Sequence, residues 1–381
     1  MRWDVIVVGL GAMGRATVAE LARRGRRVLG LEQFTVAQAR GSSQGGTRII
    51  REAYFEHPLY VPLVQRAYAA WQALERRTGR ALLVPTGGLT IGPPAGRLVT
   101  GALASARTHG LAHDVLDEPE VARRHPAVRI PGGAVAVAEP RAGVLLAARG
   151  LDALLDVARA DGADVRGGAV VEGWAARADG VRVTVGGETL HADRLVLAGG
   201  PWMPGLVPAL AGLRVERNAV HWFEPPAASS ACLYGPDALP VLVIEDTPAH
   251  LLYALPSMRA LGNDLEDGVK FAGHHSGVVA AIERIDHQPT PADAAAIAPD
   301  VVRYLPGLAP APTRSAVCCY TNTPDGHFLI DRHPDHPAVV LVSACSGHGF
   351  KFAPVVGVIA ADLADGVDGA DTLPPFAFRA V

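Results

Sequence analysis

The first thirty-two residues carry the pattern that most constrains the fold. Residues 4–8 (DVIVV) are a short, β-branched apolar run, which predicts a parallel strand buried on both faces. A helical pattern covers residues 16–24, and a second apolar strand, residues 27–31, is followed by Glu32. Between the first strand and the helix stands a G-x-G-x-x-G sequence, made by Gly9, Gly11 and Gly14. This order predicts a βαβ unit that binds a dinucleotide.

Each part of this unit has a physical task. Gly9 allows a tight turn, Gly11 lets the backbone approach a pyrophosphate, and Gly14 lets the helix pack closely. The N-terminus of the helix presents free N–H groups to a phosphate. Glu32 can accept hydrogen bonds from ribose hydroxyls.

A later segment favours FAD over NAD as the dinucleotide. Residues 193–202 (DRLVLAGGPW) are an apolar strand that ends in small residues, including Gly199, and are similar to the strand that passes the flavin in two-dinucleotide-fold flavoproteins. Short apolar runs before it predict a meander of three strands, at residues 169–171, 181–185 and 189–191. Val171 then lies beside the nucleotide.

Composition excludes several classes of function. The 381 residues are enough for two lobes, and a net charge of −3 without a basic stripe argues against nucleic-acid binding. The four cysteines fit neither a disulfide framework nor a zinc site. No run reaches the ~20 apolar residues of a membrane span, and the apolar start is not a signal peptide. We expect a cytoplasmic protein without a bound metal.

Four segments resemble the monomeric sarcosine oxidase and N-methyltryptophan oxidase family. They are residues 41–54 (GSSQGGTRIIREAY), 268–274 (GVKFAGH), 318–331 (CCYTNTPDGHFLID) and 346–352 (SGHGFKF). The resemblance implies an α/β fold with a discontinuous FAD-binding Rossmann-like domain and a second, substrate domain built on a mixed β-sheet. The implied FAD domain comprises residues 1–85, 142–215 and 320–381, and the substrate domain residues 86–141 and 216–319.

The resemblance also implies a covalent flavin. Cys318 stands in the pattern C-x-Y-T-x-T-P-D, where similar enzymes join a cysteine to the flavin 8α-methyl carbon by a thioether. A thiolate is a plausible nucleophile toward that carbon. Alternatively Cys318 is a small core residue. Cys319 is a rival for the attachment, although on an extended segment it faces the opposite side.

Two lysines match functional positions of the family. Lys270 alternates with apolar residues, and a lysine in such a pattern is often an edge residue whose ammonium snorkels to the solvent. The resemblance implies instead that Lys270 lies over the flavin and assists the reduction of oxygen. An ammonium there stabilises the negative charge that develops on oxygen. Lys351 follows a glycine-rich turn and faces either the pyrimidine edge of the flavin or the substrate carboxylate; the resemblance implies the carboxylate.

Two arginines match the family as well. Arg48 and Arg51 are near neighbours if their segment is helical, and by themselves they read as surface arginines. The resemblance implies that Arg51 binds the substrate carboxylate, for which bidentate arginine is suited, and that Arg48 lies near the flavin.

Apart from Tyr253, the remaining site residues come from the same four segments. Tyr320 and His274 match positions that contact the amine or shape the pocket, and Tyr253 is a further candidate. The residues expected to contact the cofactor from these segments are Ser42, Ser43, Gly347 and Gly349.

The chain departs from the family at several positions. Gln44 stands where a histidine is usual, Gly46 replaces an acid, and Gly273 replaces a bulkier residue. The loop at residues 259–267 (RALGNDLED) is longer and more polar than usual. These changes predict a pocket that prefers a bulkier or cyclic N-substituted amino acid over sarcosine.

The function predicted from these features is FAD-dependent oxidation of a secondary amino acid, N-methyl or cyclic, to an imine and hydrogen peroxide. The partners are then the amino acid and molecular oxygen, and the enzyme is expected to be a monomer. Three alternatives stay open: a related flavoenzyme acting on a cyclic imino acid such as pipecolate or proline or on a biosynthetic intermediate, a dehydrogenase that passes electrons to a quinone or protein, and a non-catalytic flavin-binding scaffold.

Overall fold

A computed structural model of the chain describes residues 2–36, 40–225, 228–262, 265–367 and 373–381. Residues 263 and 264 of the loop at 259–267 lie outside the described residues. The strands are, in chain order, β1 (Arg2–Val8), β2 (Val28–Leu31), β3 (Thr47–Ile50), β4 (Leu83–Pro85), β5 (Gly88–Gly92), β6 (Asp114–Leu116), β7 (Val135–Glu139), β8 (Gly143–Leu146), β9 (Asp164–Arg166), β10 (Val171–Arg177), β11 (Gly180–Val185), β12 (Glu188–Leu197), β13 (Arg214–Phe223), β14 (Val241–Thr247), β15 (His250–Leu255), β16 (Val269–His274), β17 (Val278–Val279), β18 (Arg314–Asn322), β19 (Leu329–His333) and β20 (His336–Ser343).

Eight α-helices accompany these strands in the described ranges. They are α1 (Ala12–Arg23), α2 (Tyr60–Thr78), α3 (Arg97–His109), α4 (Glu118–Arg124), α5 (Ala147–Ala160), α6 (Met203–Leu206), α7 (Pro291–Tyr304) and α8 (Ala353–Ala364). None of these helices combines the length and apolarity needed to cross a bilayer.

The first sheet contains the nucleotide fold. Its order is β10-β11-β12-β1-β2-β9, with β20 beside β12 and β19 beside β20. The ladders from β12 through β1 and β2 to β9 are parallel, whereas β10, β11 and β12 form an antiparallel meander. The meander was predicted, but its first strand is β10 rather than residues 169–171, and its third run is continuous with the strand predicted from residue 193, because both belong to β12. Val7 packs in the core under α1 and Ile6 in the core on the opposite face. The first strand is therefore buried on both sides, as its apolar run predicts.

The second sheet is mixed and antiparallel for the most part. Its order is β17-β13-β16-β15-β14-β5-β7-β6, with β18 beside β13, and only the β5–β14 ladder is parallel among the described pairs. Its core combines sheet residues such as Phe271 with Val301 and Tyr304 of α7. A small third sheet, β3-β8-β4, carries the segment that contains Arg48. The α/β architecture with a second mixed sheet agrees with the predicted fold class.

Two of the predicted domain boundaries fall inside paired strands. The boundary at 215/216 lies in β13 and that at 319/320 lies in β18. Nine residue pairs join these strands, from Arg214 opposite Asn322 to Trp222 opposite Arg314. Because this ladder is continuous, the second of the two chain segments that form the second sheet begins earlier and ends later than predicted, at residues 214 and 322.

Candidate functional site

A cavity at the carboxyl ends of β1 and β2 collects most of the predicted cofactor residues; we call it the nucleotide cavity. Its walls include the predicted residues Gly9, Gly11, Glu32, Ser42, Ser43, Val171 and Gly199. The cavity thus lies where an open parallel sheet binds its ligands, beyond the carboxyl ends of the strands.

The glycine turn of this cavity has no room for side chains. Gly9 has a φ of +89°, and a Cβ there would lie 2.5 Å from the carbonyl oxygen of Ala198. A Cβ on Gly14 would lie 1.8 Å from the carbonyl oxygen of Gly9. The backbone N–H of Ala12, the first residue of α1, donates to Ser43 Oγ at 2.9 Å. The close backbone and the helix N-terminus fit the pyrophosphate of a dinucleotide.

A second cavity adjoins the first, and we call it the substrate cavity. The two cavities share Ser42, Cys345 and Phe350 in their walls. Gly14 lines neither cavity and packs against the backbone of Gly9. The other predicted site residues line the substrate cavity: Arg48, Arg51, Tyr253, Lys270, His274, Cys318, Tyr320, Gly347, Gly349 and Lys351. Four segments that are distant in the sequence therefore meet around one space, and the residues of the two adjoining cavities would together hold FAD.

Arg48 and Arg51 do not lie on a helix, because residues 47–50 form strand β3. Arg48 donates to the backbone carbonyls of Thr47, Ser42 and Gln44, which fixes the loop between the two cavities. Arg51 follows the strand and is 5% exposed. The condition under which the two arginines would be helical neighbours is not met, because the β-branched residues of this segment pair with β8.

Arg51 already has a carboxylate partner in the protein. Its Nη2 atom lies 2.9 and 2.7 Å from the two carboxylate oxygens of Glu56, and its Nη1 atom donates to the carbonyl of Ala53 at 2.8 Å. Burial would raise the pKa of Glu56, but the charges of Arg51 and Lys351 lower it to about 2. Glu56 is therefore ionised at neutral pH, and it also lines the substrate cavity.

Lys351 is the second cation of this region. Its Nζ atom donates to the carbonyl of His348 at 2.8 Å and to Tyr54 Oη at 3.2 Å. Burial and the neighbouring Arg51 lower the pKa of Lys351 to about 7, while Glu56 opposes the shift. When Lys351 is protonated, two cations face one carboxylate, so the region has a net positive charge that suits an anionic substrate group.

His348 and Tyr54 complete this region in neutral form. Tyr54 Oη lies 2.8 Å from Nδ1 of His348, whose Nε2 atom lies 3.1 Å from the carbonyl of Gly326. Burial lowers the pKa of His348 to about 4. A neutral imidazole that donates a hydrogen bond from Nε2 to the carbonyl and accepts one at Nδ1 from the Tyr54 hydroxyl satisfies both contacts.

Lys270 sits in a different part of the substrate cavity. Its Nζ atom lies 2.8 Å from Glu266 Oε2 and 2.7 Å from Thr47 Oγ1, and it is 5.0 Å from the centre of the Trp222 ring. Burial lowers the pKa of Lys270 to about 8, and Glu266 opposes this change. Lys270 is an internal cation with a carboxylate partner, not a snorkelling edge charge.

His274 and Tyr320 are hydrogen-bonded to each other. The distance from His274 Nδ1 to Tyr320 Oη is 3.2 Å. Burial lowers the pKa of His274 well below its ordinary value and raises that of Tyr320 well above it. Both side chains are therefore neutral at physiological pH, which suits contact with an uncharged amine.

Strand β18 sends its two cysteines to opposite sides. Cys318 lines the substrate cavity and packs with Val220 and Ala272, whereas Cys319 packs in a separate cluster with Ile282. Burial raises the pKa of the Cys318 thiol, although the charges of Arg48 and Lys270 act in the opposite direction.

Comparison with known proteins assigns the chain to a family. The family model described as FAD dependent oxidoreductase matches residues 4–363. The chain belongs to the FAD-dependent oxidoreductase family. It is 41% identical to the monomeric sarcosine oxidase of Streptomyces avermitilis over 95% of this chain and 93% of that protein. It is 30% identical to the N-methyl-L-tryptophan oxidase of Salmonella newport over 99% and 98% of the two chains.

A solved structure supports the fold of this oxidoreductase. The open form of NikD, described as an unusual amino acid oxidase essential for nikkomycin biosynthesis, superposes with a TM-score of 0.85. The identity is 26%, and the alignment covers 99% of this chain and 98% of that one.

The structure adds residues that the motifs did not indicate. Glu56 and Glu266 contact the charged groups of the oxidoreductase but lie outside the four family segments, and Thr47 and His348 lie inside those segments without having been assigned a role. Another signal in the sequence does single out the site: the chain has two lysines and 33 arginines, and both lysines line the substrate cavity. Burial can lower the pKa of lysine into the neutral range, whereas arginine stays protonated. The two lysines therefore stand out from the 33 arginines as candidate site residues.

The departures from the family have different structural consequences. Gln44 lines the substrate cavity, and the loop at 259–267 carries Glu266 to Lys270. Gly273 does not line this cavity in the described part of the chain; a Cβ there would lie 2.2 Å from Ser276 Oγ. Its effect on substrate choice, predicted from the sequence, has no support in the geometry because its neighbours lie in the turn that follows β16.

Proposed function

We propose that this oxidoreductase is an amine oxidase that converts a secondary amino acid to an imine and reduces oxygen to hydrogen peroxide. The observation that carries the proposal is the substrate cavity, where Arg51 and Lys351 offer positive charge for a carboxylate and Lys270 offers a separate ammonium. The relatives support the substrate class, since sarcosine and N-methyltryptophan are both N-methyl amino acids.

Different residues of the substrate cavity bind the substrate, contact its amine and assist the reduction of oxygen. Arg51 and Lys351 bind the substrate carboxylate, while neutral His274 and Tyr320 contact the amine, which reacts in its unprotonated form. FAD held between the nucleotide cavity and the substrate cavity would supply the two-electron redox chemistry that couples oxidation of the C–N bond to reduction of oxygen. The substrate loses two electrons and two protons when the imine forms. Oxygen gains two electrons and two protons and becomes hydrogen peroxide. Lys270 stabilises the negative charge that develops on oxygen.

We also propose that the enzyme is a cytoplasmic monomer. Cys318, Cys319 and Cys345 are free thiols, which suits a reducing compartment. The Streptomyces avermitilis relative is named a monomeric enzyme.

A substrate panel assayed for peroxide tests the proposed function. We expect peroxide with sarcosine, N-methyltryptophan, pipecolate and proline, and a higher kcat/KM for the bulkier or cyclic acids than for sarcosine. The physical reason is the apolar wall of the substrate cavity, formed by Ile49, Phe55, Val243 and Leu255, which can bury an apolar substituent.

Matched amines without the carboxylate serve as controls and should react poorly. If sarcosine is the best substrate by a wide margin, the substrate preference inferred from Gln44 and the apolar wall is wrong. If amines bleach the flavin without forming peroxide, oxygen is not the acceptor and the dehydrogenase alternative is correct.

A covalent flavin is a second expected result. Because Cys318 faces the substrate cavity and Cys319 faces away from it, acid-precipitated protein should stay yellow and a Cys318 peptide should carry the mass of FAD. Cys318→Ala should release the flavin on precipitation, and the matched variant Cys319→Ala should retain it. Complete loss of flavin from wild-type protein matured with excess FAD would contradict the linkage.

A further inference from the structure

The carboxylate of Glu266 is held beside Lys270 by three contacts. It accepts hydrogen bonds from the backbone N–H of Gly46 at 2.7 Å and from Thr47 Oγ1 at 2.8 Å, and it lies 2.8 Å from Lys270 Nζ. Its side chain is about 10% exposed. A buried carboxylate with this many partners has a fixed position and stays ionised.

Gly46 provides the space for this carboxylate. For a Cβ built on Gly46, the three nearest atoms all belong to Glu266, at 2.8, 2.8 and 3.0 Å. Gly46 does not have a positive φ, so its backbone would accept a side chain if Glu266 were shortened. Two sequence departures, the glycine at 46 and the polar loop at 259–267, therefore form one structural unit.

Thr47 accepts hydrogen bonds from Lys270 through its Oγ1 atom and its carbonyl but carries no charge. The remaining groups around Lys270 favour its neutral form or attract the ammonium weakly. Arg48, from β3, lowers the pKa of Lys270, and so does burial; Cys318, from β18, acts in the opposite direction only as a thiolate. From β13, the Trp222 ring contributes a weaker cation–π attraction, which it shares with Arg314. Glu266 is thus the strong electrostatic partner that favours the ammonium.

We propose that Glu266 is a positioning residue that keeps the Lys270 side chain protonated and fixed in the substrate cavity. A carboxylate of the loop at 259–267 thereby maintains the positive charge that acts on oxygen. This inference rests on the proposed role of Lys270 in reoxidation. Glu266 acts through Lys270, because the carboxylate itself is not among the residues that line the cavity in the described part of the chain.

The chain contains two lysines, so the protonation of each can be followed separately by NMR. Holoenzyme labelled with ¹³Cε- and ¹⁵Nζ-lysine should show two side-chain resonances, and a Lys351→Arg variant assigns them. In Glu266→Gln, which keeps the side-chain shape but loses the charge, the pKa of Lys270 should fall by about one pH unit or more. The pKa of Lys351 should not change, so it is the internal control of the same spectrum.

The rate of reoxidation by oxygen should follow this titration. In the wild-type enzyme the rate should decrease as the pH rises through the pKa of Lys270, near 8, because the neutral amine no longer stabilises charge on oxygen. In Glu266→Gln the same decrease should occur at a lower pH, displaced by the shift measured for Lys270. Anaerobic reduction of the flavin by substrate should show no matching displacement.

A second pair of variants covers the case in which Glu266→Gln folds poorly. Glu266→Ala removes the carboxylate, and Gly46→Asp together with Glu266→Ala returns one to the space above residue 46. The double variant should restore the titration of Lys270 toward the wild-type pH.

Two results would overturn the inference. If the titration of Lys270 is the same in wild type, Glu266→Gln and Glu266→Ala, Glu266 does not control its charge. If the titration moves but the pH profile of reoxidation does not, Lys270 does not act on oxygen, and that part of the proposed function fails while oxidation of the amine stands.

Discussion

The Lys270→Met variant is expected to react with oxygen about 100- to 1,000-fold more slowly than the wild-type enzyme, since loss of one preorganised charge typically costs this much. Oxygen becomes negatively charged as the first electron moves, and Lys270 is a buried ammonium in a cavity where screening by water is weak. Stopped-flow mixing of the reduced enzyme with oxygen measures this rate directly.

Anaerobic reduction of the flavin by substrate is the control half-reaction and should change much less. Lys270→Met leaves the carboxylate of Glu266 buried without its cation. The double variant Lys270→Met with Glu266→Gln removes that unpaired charge as well, so it is the better comparison with the wild-type enzyme. Lys351→Met removes the other lysine and should weaken substrate binding without a comparable loss of reoxidation. Equal losses in both half-reactions of Lys270→Met would show that Lys270 has another role.

The second large effect is expected at Arg51. Arg51→Ala should raise KM for an acid substrate about 10- to 100-fold, because a hydrogen bond to a charged group contributes about 1.5–3 kcal/mol. An uncharged amine of similar shape should be affected far less. Comparison of the two substrates by steady-state kinetics isolates the carboxylate contact.

A variant of Glu56 provides a second test of the carboxylate contact, because Glu56 competes with the substrate carboxylate for Arg51. Glu56→Gln should lower KM for the acid, the opposite direction to Arg51→Ala, since it removes a fixed negative charge from the cavity. In Arg51→Ala the remaining Glu56 also repels the substrate, so the double variant with Glu56→Gln separates lost attraction from added repulsion. A KM that does not respond to Arg51→Ala would place the substrate carboxylate elsewhere.

Local sequence patterns were sufficient for the nucleotide fold. The β-branched run before Gly9, the spacing of the glycines and the acid after β2 are adjacent in the chain, and their geometry follows from backbone sterics alone. The four family segments also identified the residues around the substrate cavity. The sequence did not decide the conformation of the segment containing Arg48 and Arg51, because pairing with the distant strand β8 determines it.

The charges of the site depend on contacts between residues that the sequence does not connect. Glu266 meets Thr47 across more than 200 positions, and Tyr54 meets His348 across nearly 300. The sequence by itself determined the nucleotide fold and which residue types reach the cavities. Only the tertiary structure decided which carboxylate faces which cation, because burial raises the cost of an unpaired charge and the folded chain selects the partner that offsets it. That pairing sets whether Lys270 and Lys351 carry a proton.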